Sequence, residues 1–97
     1  MFIMYKTFDN CMENMGKAFE CGRELLSERL QTIVDGQEVY KTAAGFIMAI
    51  SQGSIKKLNE EASEGKLEQS MLDTYTKAIE EERDMLIEDL ETFYNQF

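Results

Sequence analysis

The sequence contains no histidine, no proline and no tryptophan, and it has only two cysteines. Without histidine, the chain lacks the commonest general base and the commonest ligand of transition metals. Two cysteines cannot provide the four ligands of a structural zinc site, and no C-x-x-C pair, glycine-rich phosphate loop or G-x-S-x-G turn is present. We therefore expect a protein that is not an enzyme, with no catalytic residues, no bound metal and no cofactor.

The sequence also has little that would direct it to a membrane or to an oxidising compartment. Its apolar start carries no basic leader, and the longest uncharged run, Thr42–Ile55, is shorter than the about 20 residues that span a bilayer. Cys11 and Cys21 lie on one predicted helix, about 15 Å apart, which is too far for a disulfide. Because two free thiols suit a reducing compartment, a cytoplasmic protein is expected.

The absence of proline removes the strongest helix breaker, and hydrophobic residues recur at the three- and four-residue steps of amphipathic helices. Glycines that can close a helix occur at Asp35–Gly36 and within Ser63–Lys66. We predict a single all-α domain over residues 1–97, with three long antiparallel helices near residues 5–34, 37–62 and 66–97. These helices are expected to form a helical bundle or an extended coiled coil.

A chain of 97 residues buries only about 60 to 65% of its unfolded surface, so its margin of stability is thin. Self-association or a partner protein would add buried surface. The sequence therefore favours a homo-oligomer or a bound partner.

The middle segment is apolar on nearly every side. Besides its main apolar stripe it carries Gly45, Ala49 and Gly53 at four-residue spacing, here called the small-residue row. A helix of this kind can be the centre of a bundle, buried on two sides. Alternatively, the small-residue row lets two backbones approach closely and forms a homodimer contact.

Glu82 falls near the middle of the apolar arc of the third segment, where a carboxylate is costly unless it is paired. Three explanations stay open. Glu82 can be a polar residue that sets the register of a helical seam, it can pair with Arg29 or Arg23, or it can be a metal or proton-transfer ligand.

The excess of acidic residues is concentrated near the C-terminal end. Residues 59–97 hold 12 acidic and three basic residues, whereas residues 36–58 hold one acidic and three basic residues. On the third predicted helix one outward face carries a row of carboxylates, here called the acidic row: Asp73, Glu80, Glu81, Asp84, Glu88 and Glu91. Such a row can simply keep a small protein in solution, or it can dock on a basic surface.

Basic surfaces are commonest on nucleic-acid-binding proteins, and an acidic helix can occupy a groove that otherwise receives phosphates. We therefore predict a protein-binding module, an inhibitor or adaptor that acts as a nucleic-acid mimic on a partner protein with a basic surface. Direct binding to nucleic acid or to a membrane is not expected. The alternative is a structural or chaperone-like homo-oligomer, assembled through the middle helix and holding a client with apolar flanks such as Phe2, Ile3 and Phe97.

Overall fold

The computed structural model describes residues 5–29 and 36–96, and these ranges are almost entirely helical. Three helices follow in order: α1 (Lys6–Arg29), α2 (Gly36–Ser63) and α3 (Gln69–Asn95). Each helix packs against the other two. The predicted all-α bundle of three helices is therefore confirmed. Among the described residues, no helix has both the length and the apolar character needed to cross a membrane.

Contacts between α1 and α2 join the start of one helix to the end of the other. The Thr7 hydroxyl donates a hydrogen bond of 2.7 Å to Oε1 of Glu61. Gly22, late in α1, lies against Ala43, early in α2, so closely that a Cβ on Gly22 would be 2.6 Å from Cβ of Ala43. The two helices therefore run in opposite directions.

Aromatic pairs attach α3 to the two ends of the bundle. The rings of Phe8 and Tyr75 stack with their centroids 4.6 Å apart, which joins the first turn of α1 to the second turn of α3. The rings of Tyr40 and Tyr94 stack at 5.7 Å, which joins the start of α2 to the end of α3. Since α1 and α3 meet start to start, both run opposite to α2.

The turn between α2 and α3 is built around Gly65, whose φ of 79° is the left-handed conformation that glycine adopts without steric cost. The Lys66 amide donates to the Glu61 carbonyl oxygen at 2.9 Å, which closes the end of α2. The turn predicted within Ser63–Lys66 is present. Because Lys66 belongs to this closing motif and Glu68 is extended, α3 begins at Gln69 rather than at the predicted residue 66.

The limits predicted for the other helices can be compared only in part. α2 spans Gly36–Ser63, which differs by one residue at each end from the predicted 37–62. The predicted end of the first helix at residue 34, and Asp35 of the first predicted turn, lie outside the described residues.

One apolar core runs along the bundle axis between the three helices. No described side chain has a buried nitrogen or oxygen without a hydrogen-bond partner; the hydroxyl of the fully buried Ser51 donates to the Met48 carbonyl at 2.7 Å. The buried hydrophobic side chains that form the core come from all three helices: Cys11, Met15, Leu26, Ala43, Ile47, Leu58, Leu72, Ile79, Leu86 and Leu90.

One thiol and two phenol groups in the bundle have a higher pKa than they would have in an unfolded chain. Burial raises the pKa of the Cys11 thiol and outweighs the opposing hydrogen bond with Ser54. Burial also raises the pKa of Tyr40, with a smaller contribution from the nearby Glu91 carboxylate, and it raises the pKa of Tyr5. A group whose pKa is higher in the folded state stabilises the fold below its unfolded pKa, and this stabilisation is lost as the pH rises through the folded pKa.

We therefore expect the free energy of unfolding to decrease as the pH rises past 9.0 and 10.0, the ordinary pKa values of a thiol and a phenol. Urea unfolding at a series of pH values on both sides of this range, followed by circular dichroism, measures the slope. Tyr40→Phe keeps the ring and removes the titrating hydroxyl, so it should make the slope shallower. A free energy of unfolding that stays constant through this range would contradict the assignment.

Candidate protein-binding surfaces

The acidic row lies on the outer side of α3. All six of its side chains are exposed. The buried residues of the same helix, Leu72, Ile79, Leu86 and Leu90, are offset from the row at helical spacing and face the core. The structure thus brings Asp73, Glu80, Glu81, Asp84, Glu88 and Glu91 together on one accessible surface.

Few described groups neutralise the acidic row. Arg83 pairs with Asp84, its neighbour in sequence, at 2.9 Å, and Gln69 donates a hydrogen bond of 2.9 Å to Asp73. Lys77 forms no ion pair with any described residue. Carboxylates four residues apart on a helix, such as Glu80 and Asp84, repel each other by about 0.2 to 0.5 kcal/mol per pair. The row is therefore a surface of concentrated negative charge at a modest cost in helix stability.

Glu82 is not part of the buried core, although its position in the pattern predicted burial. Glu82 is half-buried. The pairing with Arg23 is wrong, because the two residues form no ion pair and the Arg23 guanidinium instead lies over the Phe93 ring, 5.0 Å from its centroid. The side chain of Arg29 lies outside the described residues. Among those described, no group of three metal-binding side chains converges, so Glu82 has no described companions for a metal site.

The small-residue row is exposed rather than buried in the bundle. Gly45, Ala49 and Gly53 all lie on the outer side of α2, and a Cβ on either glycine would meet no atom within 4 Å. The interpretation of α2 as a bundle centre buried on two sides is therefore wrong for the single chain, since α1 and α3 cover only one side of it. The homodimer contact through this row stays a prediction.

A groove between α1 and α2 is a feature that sequence reasoning missed. This α1–α2 groove has a volume of about 460 Å³ and an almost entirely apolar surface. Its lining residues come from both helices: Lys17, Ala18, Cys21, Gly22 and Leu25 of α1, and Glu38, Val39, Thr42, Ala43, Phe46 and Ile50 of α2. Two of the most exposed large hydrophobic side chains stand in it: Leu25 is 36% exposed and Phe46 is 61% exposed. Phe46 lies outside the main apolar stripe of α2. A large aromatic residue outside that stripe is the sequence signal that could have identified the groove.

The floor of the α1–α2 groove separates it from α3. A Cβ on Gly22 would lie 2.6 Å from Ala43 and 3.5 Å from the Leu90 side chain, so α3 packs directly behind the contact between α1 and α2. The groove and the acidic row are therefore on opposite sides of the bundle.

Cys21 is exposed and lines the groove, whereas Cys11 is 1% exposed; both thiols are free.

Similarity searches with this chain find no matching family model, no matching curated protein and no matching solved structure.

Proposed function

We propose that the protein is a non-enzymatic binding module that docks the acidic row of α3 on a partner protein with a basic surface, as an inhibitor or adaptor. The observation that carries this proposal is the exposure of all six acidic side chains on one side of α3. A helix held by a core on its other side presents these charges without an ordering cost at the moment of binding.

The expected partner is a nucleic-acid-binding protein. A surface that binds phosphates is lined with lysine and arginine, and a helix with carboxylates at successive turns presents negative charge at repeated intervals along such a surface. Charge complementarity of this kind increases the rate of association and discriminates against acidic surfaces. The same negative charge disfavours direct binding of the chain to nucleic acid.

The proposal is tested with a triple variant, Glu80→Gln, Asp84→Asn and Glu88→Gln, used beside the wild type as bait in an affinity pull-down with mass spectrometry. We expect the wild type to recover basic proteins, with recovery falling sharply between about 0.05 and 0.5 M salt because exposed charges are screened. The triple variant should lose these proteins. Added double-stranded DNA should release them, because DNA competes for the same basic surface.

A matched control variant removes equal charge elsewhere. Glu13, Glu20 and Glu24 are exposed on α1, and their replacement by glutamine should leave capture unchanged. Circular dichroism should show that both variants remain folded; the triple variant should be at least as stable as the wild type, since it loses repulsion between carboxylates four residues apart. Equal recovery of the same partners by wild type and triple variant would show that the acidic row does not dock.

The rival function is a structural or chaperone-like homo-oligomer. The exposure of the small-residue row supports it, because two helix-interior glycines with no intrachain neighbour at Cβ leave room for another backbone. The apolar flanks expected to hold a client, Phe2, Ile3 and Phe97, lie outside the described residues. Assembly through apolar surface should persist in high salt, which distinguishes it from docking by charge.

A further inference from the structure

The two ends of the α1–α2 groove carry opposite charges. Gly22 lies against Ala43, so Lys17, five residues earlier in the opposite-running α1, is roughly level with Met48. Glu38, at the other end, is ten residues from Met48, or about 15 Å along the helix. The Lys17 ammonium pairs with Glu13 of its own helix at 3.1 Å, and Glu38 forms no ion pair with any described residue. Among the residues that line the groove, one end therefore carries a cation and the other an anion.

We propose that two copies of the chain pair about a twofold axis through the α1–α2 groove. Each Phe46 ring then packs on the groove of the other copy, and each Lys17 lies beside Glu38 of the second copy. A twofold axis at the middle of the groove reverses its ends, so the opposite charges meet twice. This is the self-complementary contact that a symmetric dimer requires.

The distribution of charge selects a second copy as the occupant. Two copies of a chain with a net charge of −9 repel each other at most orientations. The charge excess belongs to residues 59–97, whereas residues 36–58 carry one acidic and three basic residues. Pairing through the groove keeps the two acidic rows on the far sides of the dimer, where their mutual repulsion is smallest.

Phe46 supplies the apolar contact of the proposed dimer. Phe46 is 61% exposed beside an apolar groove, so each copy carries both an exposed ring and a groove that can receive one. Aromatic side chains, phenylalanine included, are enriched at the buried centres of protein interfaces. This contact differs from the small-residue row, which lies beside Phe46 on α2 and does not line the groove.

Exchange of the two charges tests the twofold arrangement. Sedimentation equilibrium over a range of concentrations should give a wild-type mass of twice 11.2 kDa. Lys17→Glu and Glu38→Lys, made separately, should each weaken the dimer, because like charges then face each other at both ends. The double variant Lys17→Glu/Glu38→Lys should restore association toward the wild-type level, since every pair is again opposite in charge.

Truncation of the ring tests the apolar contact. Phe46→Ala removes the ring from both copies, so it should raise the dimer dissociation constant at least about thirtyfold, the effect of losing a single interface hot spot. Met85→Ala is the matched control, because Met85 is 49% exposed on α3 outside the groove and its truncation should leave association unchanged. Circular dichroism checks that both variants fold.

In the wild type, reaction of the exposed Cys21 with a maleimide should slow as the dimer forms, while the buried Cys11 stays unreactive in both states.

Several results would overturn the proposal. A chain that stays monomeric at the highest concentrations tested has no such dimer. A dimer that survives Phe46→Ala but is lost on Ala49→Leu uses the small-residue row instead of the groove. A double charge variant no better than the single variants contradicts the twofold axis. None of these outcomes bears on the acidic row, whose test uses different residues on the opposite side of the bundle.

Discussion

Leu26→Ala should lower the free energy of unfolding by about 2 to 5 kcal/mol, the usual range for removing a fully buried leucine. Leu26 is 0% exposed and belongs to the core shared by the three helices. A chain of this size has a total stability of about 5 to 15 kcal/mol, so the loss is a large fraction of it. Urea unfolding monitored by circular dichroism should show a lower midpoint with little change in the dependence on urea.

The preceding residue provides the control. Leu25 has the same side chain on the same helix but is 36% exposed in the α1–α2 groove. Leu25→Ala should therefore cost less than about 1 kcal/mol when measured at low protein concentration, where self-association does not contribute. Equal losses for the two variants would mean that the core is not placed as described.

Gly22→Ala should destabilise the chain by about 1 to 3 kcal/mol, although alanine is the better helix former. The added Cβ would lie 2.6 Å from Cβ of Ala43, an atom that is fixed directly to the α2 backbone and cannot rotate away. The helices must therefore separate, which loosens the contacts between α1 and α2 on both sides of this point. Thermal and urea unfolding both measure the loss.

Two further variants make this prediction specific. Gly45→Ala places the same methyl group in open space, so it should stabilise the chain by about 0.5 to 1 kcal/mol through helix propensity alone. In the double variant Gly22→Ala/Ala43→Gly the methyl group moves across the contact, so part of the loss should be recovered. A stabilising effect of Gly22→Ala alone would show that α1 and α2 do not approach as closely as the structure places them.

The helices themselves follow from local sequence patterns. Spacing of hydrophobic residues identified three helices, and Gly65 identified the turn between the last two, because only glycine readily adopts the left-handed conformation found there. The start of α3 was predicted three residues early, directly after the glycine that closes α2. The Lys66 amide is used instead to close α2 by bonding to Glu61, and no local pattern reports that bond.

Burial was predicted less well than helicity. Glu82 was expected to be buried, and one of the two interpretations of α2 also buried the small-residue row; the structure leaves Glu82 half-buried and the row exposed. A helical wheel gives the direction of each side chain relative to its own axis but does not say how many neighbours cover the helix. With three helices, each has two neighbours, so part of the nearly all-apolar α2 stays uncovered, and Phe46 lies on that part.

The sequence by itself determined the all-α class, the three helices and the outward position of the acidic row, because each depends on spacing along a single helix. Only the tertiary structure decided that Gly22 serves a close helix contact while Gly45 and Gly53 do not, and that Leu25 and Phe46 share an uncovered groove. These features depend on the relative placement of two helices. Their residues are far apart in sequence, and the periodicity of one helix carries no information about its distance from another.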